Sequence, residues 1–144
     1  MATNPDLDTY YIVTDVTFEA SHDLQPLVDD LIAGGLGSVF DIRSFDDSWE
    51  ARGGILVKPY DPESSIARFL DVLDSLGMES KQSWSNCSKR EFDIGYQCGK
   101  RPLFINNEIS TKTMARIASQ SASLKITLYS FQPRKSPRSV SSQP

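Results

Sequence analysis

The chain has 144 residues, 39% hydrophobic, 24% charged and 10% aromatic, the size and make-up of one ordinary globular domain. This composition argues against a disordered chain, and apolar runs as short as Ile55-Leu56-Val57 fall far below the ~20 residues of a membrane-spanning helix. The 15 basic and 19 acidic residues give −4; without residues 133–144, which hold Arg134, Lys135, Arg138 and no acid, the balance is 12 against 19, or −7. An acidic body disfavours nucleic acid and steers basic partners toward it.

Met1-Ala2-Thr3-Asn4-Pro5-Asp6 has neither the basic start nor the apolar run of a secretory signal, so a cytoplasmic location is expected. In that compartment Cys87 and Cys98 are expected to stay reduced, and neither a second cysteine pair nor a histidine cluster stands near them to form a zinc site. Tyr10 to Phe18 alternates as a half-buried strand, with Tyr10, Ile12, Thr14, Val16 and Phe18 on one face. Ser21 and Asp23 then offer N-caps and Pro26 fits a first helical turn. Leu24, Leu27, Val28, Leu31 and Ile32 follow at helical spacing up to Gly34-Gly35.

A second strand is predicted over Ser38 to Phe45, followed by a loop from Asp46 to Gly54 and a short strand from Ile55 to Lys58. Asp61-Pro62-Glu63 supplies a capping carboxylate, a first-turn proline and a first-turn acid. The stripe Ile66, Phe69, Leu70, Leu73 and Leu76 continues that helix to Gly77. Gln82 to Ser88 reads as a polar stretch around Trp84, and Phe92, Ile94, Tyr96 and Cys98 alternate as a strand. A short strand over Leu103 to Ile105 precedes a third helix capped by Ser110 or Thr111. The last strand is predicted over Leu124 to Phe131, with Leu124, Ile126 and Leu128 inward.

The resulting order, β-α-β-β-α-β-(β)-α-β, lacks strict βαβ repetition. It therefore predicts an α+β fold: a single-layer mixed or antiparallel sheet with helices packed on one face, an order that would suit two ferredoxin-like halves. Residues 1–132 form the domain. Residues 133–144 are expected to be a disordered, Ser/Pro-rich basic tail.

Little in the chain resembles catalytic machinery. The single histidine, His22, sits between Ser21 and Asp23 with no nucleophile or acid placed against it by spacing. Gly34-Gly35-Leu36-Gly37 lacks the Lys-Ser/Thr ending of a phosphate loop and follows a helix where that loop precedes one. Asp41, Asp46, Asp47 and Glu50 lack the spacing of a calcium loop, so no metal and no cofactor are expected. Trp49, in the acidic loop, and Trp84, in the polar stretch, are large rigid side chains of the kind that anchor interfaces, while the plainer reading of each alone is a lid folded back over the core. The candidate contact residues are Asp46, Asp47, Trp49, Glu50 and Trp84.

Lys89-Arg90-Glu91-Phe92-Asp93-Ile94-Gly95-Tyr96-Gln97-Cys98-Gly99, the helix opened by Ile109-Ser110, and Ala122-Ser123-Leu124-Lys125-Ile126-Thr127-Leu128-Tyr129 together resemble the bacterial family named domain of unknown function 4279. The resemblance covers about residues 65–130. It implies an α+β fold with no established catalytic residues and, for small proteins of this kind, a role as an immunity protein for a bacterial toxin. The expected function is thus a non-catalytic protein-binding module, an immunity or inhibitor protein that neutralises a cognate bacterial toxin by binding its basic domain. The alternative is a small-ligand-binding or regulatory domain with a pocket between sheet and helices.

Overall fold

The computed structural model of the chain describes residues 7–102 and 104–131. Its elements are β1 (Tyr10–Ala20), α1 (Gln25–Ala33), β2 (Phe40–Phe45), β3 (Ser48–Gly54), α2 (Pro62–Ser75), α3 (Met78–Ser85), β4 (Lys89–Gln97), α4 (Thr111–Ser119) and β5 (Ser123–Tyr129). The strands form one mixed sheet in the order β2-β3-β1-β4-β5, antiparallel throughout except for the parallel pair β4-β5. The α+β class and the mixed sheet are as predicted.

β1-α1-β2 places two parallel strands around β3, and β3-α2-α3-β4 places two around β1. That is one interlocked split βαβ pair over the four strands β1 to β4, the ferredoxin-like arrangement. The prediction of two such halves is replaced by one unit. α4 crosses from β4 to a fifth strand laid parallel beside it.

α2 forms as the sequence dictates. Asp61 accepts from the Ser64 backbone N–H at 2.8 Å, Pro62 occupies the first turn, and Ile66, Phe69, Leu70 and Leu73 are buried. α1 starts at Gln25, and Asp23 accepts from the Gln25 N–H as a local turn in place of a helix cap. Gly35, at φ 95°, supplies the left-handed turn that stops it.

The inner face of the sheet presents Thr14, Val16, Phe18, Ala51, Phe92 and Ile94 to the helices. A bulge between Tyr11 and Val13 shifts the start of β1. Tyr11, paired with Tyr96, therefore turns inward, while Tyr10 and Ile12 stay exposed, contrary to the plain alternation.

Four predicted segments change. The predicted loop 46–54 is a two-residue turn, Asp46-Asp47, followed by strand β3. The inward positions of β3 are Trp49, Ala51 and Gly53, and a Cβ on Gly53 would lie 2.8 Å from the Phe40 ring. Ile55 to Lys58 is not a strand, although the Ile55 N–H still donates to the Thr14 carbonyl at 2.9 Å. The polar stretch around Trp84 closes helix α3. Phe104 and Ile105 lie outside any strand and Leu103 lies outside the described residues, as do residues 132–144 and the predicted tail within them.

The cysteines flank β4. Nine strand residues at ~3.3 Å each put them roughly 30 Å apart, beyond any disulfide. Burial pushes the Cys87 thiol up to about 11, against a smaller lowering by Arg90. Since the thiolate is the reactive form, native protein at pH 8 is expected to titrate one fast thiol, Cys98, with Cys87 reacting only after denaturation. Two thiols reacting together in native buffer would contradict the burial of Cys87.

Candidate functional site

The helices cover one face of the sheet, and the other face is open to solvent. Its residues follow from the strand registers. They are Asp41 and Arg43 on β2, Glu50 and Arg52 on β3, and Asp15, Thr17 and Glu19 on β1. β4 adds Lys89, Glu91, Asp93, Gly95 and Gln97, and β5 adds Lys125, Thr127 and Tyr129. Six carboxylates there stand against four cations, and the turn residues Asp46 and Asp47 add two more acids at one end.

Asp15 and Asp93 are direct cross-strand partners. Like charges in that position repel. The pair is held by neighbours: Arg52 lies 3.6 Å from Asp15, Lys125 lies 3.6 Å from Asp93, and the Thr127 hydroxyl donates to Asp93 at 2.7 Å. Lys125 is also shared with Glu91 at 3.6 Å.

Beside this pair lies a hollow of about 230 Å³ lined by Ile12, Val13, Asp15, Asp93, Gly95, Gln97 and Tyr129. Gly95 makes it. A Cβ at that position would stand 3.3 Å from the Val13 carbonyl and 3.7 Å from the Tyr129 ring, taking up the space. The hollow thus offers two carboxylates and the flank of an aromatic ring, a set suited to a cationic head group.

The structure separates the candidate residues read from the sequence. Asp46 and Asp47 form the exposed β2–β3 turn, with Asp46 at φ 50°. Glu50 joins the open face opposite Glu19 and Arg43. Trp49 lies on the opposite, helix-covered face and packs half-buried against the core.

Trp84 is a core residue, 3% exposed. Its ring meets Phe18 and Phe69 at 5.3 and 5.5 Å, its Nε1 donates to Gln120 Oε1 at 2.9 Å, and Arg90 lies 6.0 Å above the ring. Its burial leaves no area for a partner. The sequence does not single out Asp15, Asp93, Gly95 and Tyr129, because their significance lies in the pairing of distant strands. The outward alternation of Asp15 and Asp93 was visible, but not that they face each other.

His22 Nε2 lies 2.8 Å from the Ser83 hydroxyl, a contact between residues 61 positions apart. A nucleophile–base pair also needs a group orienting the base, and no hydrogen bond to Nδ1 occurs among the described residues. The pair fastens the start of α1 to α3. Among the described residues no trio of His, Cys, Asp or Glu could hold a metal, and no helix is long and apolar enough to cross a membrane.

Comparisons with protein-family models, with curated proteins and with solved structures gave no match.

Proposed function

We propose that this chain is a non-catalytic protein-binding module that captures a basic partner on the open face of its sheet, as an immunity or inhibitor protein neutralising a cognate toxin would. The observation that carries this reading is the acid surplus of that face, which ends in the Gly95-floored hollow between Asp15, Asp93 and Tyr129. The acids of the β2–β3 turn and Glu50 would speed encounter through long-range attraction. A lysine or arginine of the partner would then seat in the hollow, between the paired carboxylates and against the tyrosine ring. Membership of residues 65–130 in domain of unknown function 4279, if established, would agree with a binding role and would supply no catalytic set.

The size of the hollow favours a side chain over a free ligand. Small-molecule pockets usually run ~300–1,000 Å³ and enclose most of the ligand. This one is smaller and open on one side, which suits the tip of a single cationic side chain.

The test is binding to the product of the adjacent gene at two salt concentrations. Asp46→Asn, Asp47→Lys and Glu50→Lys together should slow association about tenfold at low salt and flatten its salt dependence. Asparagine is chosen for Asp46 because it tolerates the left-handed backbone. Asp15→Asn should instead speed dissociation. Affinity untouched by both changes would remove the open face from the interface, and a neighbouring product that does not bind would remove the inhibitor reading.

A further inference from the structure

The two edges of the sheet are treated differently. β2 carries an Asp41–Arg43 ion pair on its outer rim, the kind of charge that discourages strand addition. β5 has one charge, Lys125, and that is drawn back toward Glu91 and Asp93 of its own chain. Among the described residues the outer edge of β5 pairs with nothing.

Leu124, Ile126 and Leu128 share a face with Phe92, Ile94 and Tyr96, as the sequence predicts for inward residues. Yet they are 41%, 61% and 65% exposed, because α4 covers only the start of the strand. The prediction of a buried strand is corrected to an apolar edge. Met114, 46% exposed, extends the strip onto α4, and Met114, Ile117, Ala118, Ala122 and Leu124 line a groove of about 220 Å³.

We infer that a second copy of this chain adds to this edge, β5 against β5 in antiparallel fashion about a two-fold axis at Ile126. Three observations converge on it. The first is backbone direction. The Tyr129 carbonyl accepts from Cys98 N–H, on the β4 side. Since N–H and C=O of one extended residue point to the same side and successive residues alternate, Leu124, Ile126 and Leu128 aim theirs outward. Pairing about Ile126 sets Ile126 against its mate and Leu124 against Leu128 of the other copy, so outward-facing groups meet outward-facing groups.

The second is charge. The same pairing places Lys125 opposite Thr127, so no cation meets its own copy. The third is shape. Leu128 of the other copy, opposite Leu124 and on the same face, lies beside the groove between α4 and β5, and the two strips merge into one apolar seam. The chain's own residues after Phe131 offer no alternating apolar set for the strip; they run Gln-Pro-Arg-Lys-Ser-Pro-Arg-Ser-Val-Ser-Ser-Gln-Pro.

The experiment is sedimentation of the full chain up to ~200 µM, a range that reveals even weak dimers. The wild type should form dimers. Ile126→Lys sets two cations facing each other at the centre of the seam and should raise the dimer dissociation constant at least ~100-fold. Ile126→Pro removes only the outward N–H, so the bond to β4 is kept and this variant should also be monomeric. Circular dichroism melting of both variants reports whether the monomer fold is intact. A monomeric wild type overturns the inference. So does a folded Ile126→Lys variant that dimerises like the wild type. A full-length monomer beside a dimeric 1–132 chain would assign the edge to the chain's own C-terminal residues and equally overturn it.

Discussion

Trp84→Ala is expected to lower stability by about 3–5 kcal/mol, the range for removing a large buried aromatic side chain. The cost has three sources. The indole meets Phe18 edge to face and Phe69 at a tilt, Phe69 in turn meets Phe92 edge to face, and truncation would open a void between Phe18 and Phe69. Its Nε1–H bond to Gln120 ties α3 to the end of α4. Arg90 stacks over the ring while donating to the carbonyls of Trp84, Ser85, Cys87 and Gln120, so a missing ring would also loosen that clasp.

Trp84→Phe keeps most of the volume and loses the N–H, so it should cost about 1–2 kcal/mol. Urea unfolding followed by circular dichroism measures both. A Trp84→Ala protein as stable as the wild type would show that the residue faces solvent, and would return it to the list of possible partner contacts.

That a tryptophan in a polar stretch proves to be core shows where sequence pattern stops being informative. α2 was legible because its apolar stripe is long and its cap chemistry local: Asp61, Pro62 and Glu63 act within one turn. α3 was not. It buries only Ser80 and Trp84, and one aromatic residue cannot establish a helical period.

β3 was hidden for a related reason. Its inward residues Trp49, Ala51 and Gly53 are mostly small because Phe40 packs down onto Gly53, so tertiary crowding removed the β-branched residues that mark a strand. In β1 the bulge after Tyr11 reversed the faces of two residues, and nothing local in Tyr11-Ile12-Val13 announces it. For the candidate site, single acids were legible and their assembly was not. Asp15 and Asp93 are 78 positions apart, and only the β1–β4 register makes them neighbours.

Glu63→Ala should cost about 2–4 kcal/mol at neutral pH, and the part of that cost that rests on the carboxylate charge should disappear in acid. Glu63 stands in the first turn of α2 and reaches across to the start of α4. There its carboxylate accepts from the Ser110 N–H at 3.0 Å, the Ser110 hydroxyl at 2.7 Å and the Thr113 hydroxyl at 2.6 Å. Ser110 at the same time caps α4 by accepting from the Thr113 N–H at 3.1 Å. One side chain thus holds the N-terminus of the helix that leads into β5.

Burial alone would raise the pKa of this carboxyl, but the bonds from Thr113 and Ser110 together outweigh it and hold the group below its ordinary 4.5. A group with a depressed folded pKa contributes its stability above the unfolded value and loses it as pH falls through the folded value. Glu63 should therefore contribute fully from 4.5 upward and progressively less below. Thr113 is buried, so truncation also strands a buried hydroxyl, whereas Glu63→Gln, which can still accept, should cost less.

Chemical denaturation at neutral pH and near pH 3 gives the comparison. The gap between wild type and Glu63→Gln should narrow on acidification, because the wild-type carboxyl is then neutral as well. A gap that stays constant across that range would mean that the charge contributes nothing and that Glu63 acts only by filling space between α2 and α4.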